Sequence, residues 1–197
     1  MNKVYAVLYP LIWIFMRIFH PWKAVGVENV PEGTALLCGN HSTLGDPLYV
    51  VCCLGWRRQV HVMAKEEIMK WPVIGFLLKK AGIFGVKRGK ADVTALKEAM
   101  RILKGGEKLL MFPEGTRVRE GEASEARTGA AMFSTRTGAP LVPIYIPPKK
   151  RLFRKTVVVF GEPYHPEFEG RKPSPEDYQR IADDLMVRIR ALEGKAA

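Results

Sequence analysis

Two short blocks carry side chains able to handle a proton and an anion together. In Asn40-His41-Ser42-Thr43-Leu44-Gly45-Asp46 an imidazole and a carboxylate stand five positions apart. A carboxylate on one ring nitrogen fixes the tautomer and stabilises the imidazolium, which leaves the other nitrogen as a base. The excursion Ser42-Thr43-Leu44-Gly45 can return the Asp46 side chain toward His41. The second block, Phe112-Pro113-Glu114-Gly115-Thr116-Arg117, groups donors around a glycine. Gly115 allows close backbone approach, Thr116 and Arg117 can donate to an oxyanion or phosphate, and Glu114 can hold the arginine in place. A base beside an anion clamp suggests an enzyme that acts on a hydroxyl near a phosphate.

Two familiar alternatives fail on spacing. Ser42 adjoins His41, but adjacent side chains in extended backbone point apart, and the chain has no Gly-x-Ser-x-Gly elbow. The base must therefore act on a proton that the substrate brings, by direct attack without a covalent enzyme intermediate. Gly89-Lys90 lacks the P-loop context, with Phe84 where glycine is required and Ala91 where Ser or Thr is required. Lys87, Arg88 and Lys90 remain as a basic cluster at a strand end, where the Arg88 guanidinium can grip phosphate through two hydrogen bonds. Lys65 ends another apolar run and adds a point charge.

These residues need a scaffold, and the apolar runs supply one. Strands are expected at 24–27, 35–39, 60–64, 82–86, 108–112, 141–146 and 156–161, with continuous Val/Ile/Leu/Phe character that suits strands covered on both faces. His41 and Glu114 then follow strand ends, where open α/β sheets place their sites. Asp46-Pro47 reads as cap and first residue of a helix running through Leu54. Residues 91–104 put Val93, Leu96, Met100 and Leu103 on one face, and Gly105-Gly106 stops that helix. Ser174-Pro175-Glu176-Asp177 caps a last helix that carries Tyr178, Ile181, Leu185, Ile189 and Leu192. The fold class is α/β, a single domain with a mixed, partly parallel sheet of about seven strands flanked by helices.

The chain has 197 residues, enough for one domain with a sizeable core, and a net charge of +11, which favours anionic partners. It carries no zinc-finger spacing, RNP-like strand or basic heptad array, so nucleic acid is not an expected partner. The densest basic patch, Lys149 to Lys155, reads as a solvated connection between strands that could touch lipid headgroups through Leu152 and Phe153. Cys38, Cys52 and Cys53 have no metal-binding or disulfide spacing, and the four histidines are dispersed. Buried reduced thiols, no metal and no bound cofactor are expected.

Residues 1–22 form an apolar amphipathic segment ahead of a domain at 23–197. The stretch 4–19 is rich in aromatics, is interrupted by Pro10 and carries Arg17. It falls short of the roughly 20 apolar residues of a spanning helix and has no small-residue cleavage site after it. An interfacial membrane anchor fits, with Tyr9, Trp13 and Trp22 near headgroup depth. A helix buried against the domain and a tilted span are the alternatives.

Taken in order, the blocks resemble those of the phospholipid and glycerol acyltransferase family. Asn40 to Asp46 looks like its first motif, and Gly82-Ile83-Phe84-Gly85-Val86-Lys87-Arg88 is similar to its second. Phe112 to Arg117 looks like the third, and Val142-Pro143-Ile144 like the fourth. The resemblance implies His41 as base with Asp46 as its orienter, and Arg88, Glu114, Gly115, Thr116 and Arg117 at the acceptor; Lys65, from its place at a strand end, is a further candidate contact. It implies transfer of a fatty acyl group from acyl carrier protein or coenzyme A to the sn-2 hydroxyl of lysophosphatidic acid, giving phosphatidic acid. An anionic membrane surface would be a partner, and the enzyme would sit on the cytoplasmic face of the cell membrane as a monotopic or peripheral protein. The alternatives are another acceptor (glycerol 3-phosphate, a lyso-amino-acid lipid or another lysophospholipid) or a non-catalytic lipid-binding protein in which His41 is structural.

Overall fold

The computed structural model describes residues 3–87, 92–117 and 126–196. One seven-stranded sheet organises them. Its strands are β1 (Trp22–Val25), β2 (Ala35–Gly39), β3 (Val60–Lys65), β4 (Ile83–Val86), β5 (Lys108–Met111), β6 (Leu141–Tyr145) and β7 (Thr156–Phe160). The spatial order is β1-β7-β6-β2-β5-β3-β4. Every neighbouring pair is parallel except β6 and β7. Strands β6, β2, β5, β3 and β4 therefore end at one common edge, and β7 and β1 run the other way.

Burial on both faces explains why the central strands are uninterrupted apolar runs: β2, β5 and β6 are buried at every position. Alternate residues serve opposite layers. Leu36, Cys38, Leu109 and Leu141 pack with α5 (Val93–Lys104), α6 (Gly129–Thr137) and α7 (Pro175–Ala191). Ala35, Leu37, Leu110 and Val142 pack with α1 (Lys3–Phe19) and α2 (Asp46–Leu54). Two short helices, α3 (Glu66–Met69) and α4 (Ile74–Lys80), fill the connection from β3 to β4.

Local chemistry sets the boundaries. Strand β1 stops at Val25, two residues earlier than the sequence suggests, because Gly26 turns the chain at φ 72, where a Cβ would collide with Phe160 O. Ser174 Oγ accepts from the Asp177 N–H while Asp177 Oδ2 accepts from the Ser174 N–H, so α7 begins in a capping box. The buried side of α5 is rotated from the expected stripe. Ala95, Ala99, Ile102 and Leu103 face the sheet, where the alanines allow close approach, while Val93 and Leu96 border a cavity.

Helix α1 is apolar on two sides. Tyr5, Tyr9 and Met16 are buried in the layer shared with α2. Val7, Leu11, Ile14, Phe15 and Ile18 form an exposed stripe at helical spacing. Among the described residues no helix is long and apolar enough to cross a membrane. One side of α1 is thus packed against the domain, and the other leaves an apolar stripe exposed.

Candidate active site

Strands β2 and β5 are neighbours, yet the chain leaves β2 toward α2 on one face and leaves β5 toward α6 on the other. Such divergence opens a crevice at the carboxyl edge of a sheet. His41 lies just past β2 and Phe112 to Arg117 just past β5, so the topology brings the two sequence blocks together.

His41 Nδ1 is 2.9 Å from Asp46 Oδ2, with His41 only 7% exposed and Asp46 fully buried. The same Oδ2 accepts from the Ser42 N–H at 2.7 Å and the Thr43 N–H at 2.8 Å. Oδ1 accepts from Thr43 Oγ1 and from the Lys150 ammonium, each at 2.7 Å. The helix begins at Asp46 itself, with Gly45 in the cap position expected of Asp46. The reason is that the carboxylate is turned back onto its own loop. Burial pushes this carboxyl up, but the hydrogen bonds from His41 and Lys150, the Lys150 charge and the Thr43 N–H outweigh it and hold it at about 2, against an ordinary 3.8. Asp46 is therefore ionised, and it accepts the Nδ1–H tautomer of His41, leaving Nε2 to take a proton.

Other contacts fix the imidazole in place. Its ring stacks on Phe112 at a centroid distance of 4.2 Å. Glu114 Oε2 accepts from the His41 backbone N–H at 2.7 Å, so this carboxylate braces the loop. Burial raises the Glu114 carboxyl, and that hydrogen bond opposes the rise. Asn40 exchanges two 2.8 Å hydrogen bonds with the backbone of Ile146 and ties the loop to the end of β6. Gly115 has φ 67, and a Cβ there would strike the Arg127 side chain.

Two cavities meet at this edge, and both touch Phe112 and Met63. One, of about 270 Å³, is lined by His41, Leu44, Lys65, Trp71 and Arg117 among others. The other, of about 390 Å³, is mainly apolar and is walled by Val86, Leu96, Met111, Met132 and Phe133, with Lys87 and Arg127 also in its lining.

Of the residues read as a site, His41, Asp46, Lys65 and Arg117 come together. Glu114 lies behind His41, Gly115 borders the larger cavity, and Thr116 is exposed. Arg88 lies outside the described residues. Sequence reasoning missed Asn40, Phe112 and Lys150 as members of the constellation. Lys150 corrects the expectation of a wholly solvated basic patch: its side chain is 6% exposed, whereas Arg151 to Lys155 are exposed. The Pro147-Pro148 pair just before it was the available signal, since two prolines stiffen the chain and fix the direction in which Lys150 leaves β6.

An α/β scaffold with an oriented imidazole and basic side chains at its crevice is the arrangement of an enzyme site at a sheet edge. The model of the acyltransferase family matches residues 22–147, and the chain belongs to that family of acyl-transferring enzymes. It is 36% identical over 181 residues to 1-acyl-sn-glycerol-3-phosphate acyltransferase of Bacillus subtilis, covering 88% of each chain. A chloroplastic protein of the same name from Arabidopsis thaliana is 31% identical over 139 residues, covering 68% of this chain and 38% of that longer one. The fold is similar to the crystal structure of the 1-acyl-sn-glycerophosphate acyltransferase from Thermotoga maritima. The TM-score is 0.72 at 24% identity, over 98% of this chain and 81% of that one.

Proposed function

We propose that this enzyme transfers a fatty acyl group from an acyl thioester to the sn-2 hydroxyl of 1-acyl-glycerol-3-phosphate, forming phosphatidic acid. The observation that carries the reading is His41, pinned by buried Asp46, opening on a cavity that also holds Lys65 and Arg117. The names of the relatives point to the same acceptor.

In this mechanism Nε2 of His41 takes the hydroxyl proton as the oxygen attacks the thioester carbonyl. The new C–O bond forms, the C–S bond breaks, and the proton passes from the imidazolium to the departing thiolate. Asp46 orients the imidazole and stabilises its charge. Lys65 and Arg117 hold the acceptor phosphate, and the apolar cavity across Phe112 suits the acyl chain of the donor. Acyl carrier protein and coenzyme A are both anionic donors suited to a chain of net charge +11.

The outward stripe of α1 and the nearby Leu152 and Phe153 suit the interface of an anionic bilayer, in a monotopic or peripheral attachment at the cytoplasmic face. Incubation of labelled acyl thioester with 1-acyl-glycerol-3-phosphate, glycerol 3-phosphate and other lysophospholipids tests the reading. Labelled phosphatidic acid is the expected main product; preference for another acceptor, or no product, overturns it. His41→Ala should bind lipid and lack transfer, and more than a few per cent residual activity would remove His41 as the base.

A further inference from the structure

Lys150 sits in the connection between β6 and β7, inside a run of exposed basic residues, yet its own side chain is buried. Its Nζ is 2.7 Å from Asp46 Oδ1 and donates to Ser42 Oγ at 2.9 Å. A buried ammonium is costly unless paired, so this placement reflects a specific partner. That partner is the carboxylate that also orients His41, approached from its other oxygen.

We propose that Lys150 is a positioning residue for acyl transfer, sharing the charge of Asp46 with His41 so that the imidazole stays neutral and ready to accept a proton. The inference rests on the reading of His41 as the base. With Lys150 present, the buried group of ammonium, carboxylate and neutral imidazole carries no net charge. A proton on His41 then leaves one uncompensated positive charge in a poorly hydrated site. Without Lys150, the whole Asp46 charge would favour the imidazolium, and the base would be occupied over more of the working pH range.

The other charged or titratable groups around the pair stay constant when only Lys150 changes. They are Lys65, Glu67 and Arg117 in the cavity, Glu114 behind the His41 backbone and Tyr49 on α2. The second bond of Lys150, to Ser42, holds the loop that carries the imidazole.

The test is the pH dependence of kcat/KM for the full-length enzyme and its Lys150→Gln and Lys150→Arg variants. Glutamine keeps a donor near Asp46 and Ser42 but removes the charge. Its acidic limb should move up by about one pH unit, while the arginine limb stays within about half a unit of wild type. A glutamine variant that loses activity with an unmoved limb has lost only structure, and that result overturns the proposal. The arginine variant is read independently, so a displaced arginine limb also overturns it even where the glutamine variant fails to fold. An unmoved limb together with an inactive His41→Ala rejects the role of Lys150 and leaves the base standing. Activity retained by His41→Ala removes the base itself.

Discussion

Two histidine–carboxylate pairs stand among the described residues, and they differ in what they leave free. His61 Nε2 is 2.7 Å from Glu107, slightly closer than His41 Nδ1 is to Asp46 at 2.9 Å. His61 Nδ1, however, also faces Gly82 O at 2.9 Å, so both of its ring nitrogens are engaged by the protein. Its carboxylate partner is 46% exposed, where solvent weakens the pair, whereas Asp46 is fully buried. The two histidines also lie at opposite ends of the sheet: His61 near the start of β3, His41 past the end of β2. Distance to a carboxylate does not by itself make a base. A ring nitrogen left over, a buried partner and an adjoining cavity set His41 apart.

Paired substitutions put that contrast under the heaviest strain. His41→Ala should lower turnover by about 10²- to 10⁴-fold with little change in folding, the range expected for loss of general base catalysis. His61→Ala should leave turnover within about threefold of wild type and cost roughly 1–2 kcal/mol of stability, from its two lost hydrogen bonds. Comparable losses of turnover in the two variants would erase the distinction. Asp46→Asn comes next, at about 10²- to 10³-fold in turnover, because an amide satisfies fewer of the donors around Asp46 and no longer balances the imidazolium. It also strands the Lys150 ammonium, so chemical denaturation should register a loss of about 3–5 kcal/mol. A stable, fully active Asn variant would show that the buried charge is dispensable.

Much of the His41–Asp46 pair was legible in the sequence because its parts are local. His41 and Asp46 sit on one short loop, and apolar runs on either side announce the strand and the helix that hold it. The central strands β2, β5 and β6 were readable for a similar reason: burial on both faces leaves near-continuous apolar runs. Residues joined only by topology were harder. Lys150 reaches Asp46 across more than one hundred positions, and its neighbours are ordinary surface cations. Helix α6 gave no amphipathic signal, since Ala130, Ala131, Phe133 and Ser134 are buried around much of its circumference. Glu114 shows how a correct motif can hide a role. Its position beside Arg117 suggests a partner for the guanidinium, but the fold turns it onto the His41 backbone.

The cavity is the next point of difference, since His41 borders the one that holds Lys65 and Arg117. Arg117→Ala should raise the KM for the phosphate-bearing acceptor by about 10- to 100-fold, the range for losing a hydrogen bond to a charged group, with a smaller change in kcat. The same substitution should leave the KM for the acyl thioester nearly unchanged. An unaltered acceptor titration would detach Arg117 from phosphate binding and leave Lys65 as the remaining described cation in that cavity.

The smallest expected effect concerns what holds the backbone of each histidine. His61 lies within a strand, where the sheet ladder provides hydrogen-bond partners, but His41 lies beyond the end of β2 and its N–H is taken by Glu114. Burial raises the Glu114 carboxyl above its ordinary 4.5. Between 4.5 and that raised value the folded protein holds a proton that the unfolded chain has lost, so this contribution to stability is complete below pH 4.5 and falls as pH rises. Asp46 works in the opposite sense: its contribution of roughly 2 kcal/mol is complete above pH 3.8 and drains away as pH falls toward 2. Glu114→Gln keeps an acceptor for the His41 N–H and removes only the titration. The melting temperature of wild type relative to this variant should therefore decline as pH rises from 4.5 toward neutrality. Parallel curves over that window would mean that the brace on the His41 loop carries no electrostatic cost, and that the His41 backbone is held as neutrally as that of His61.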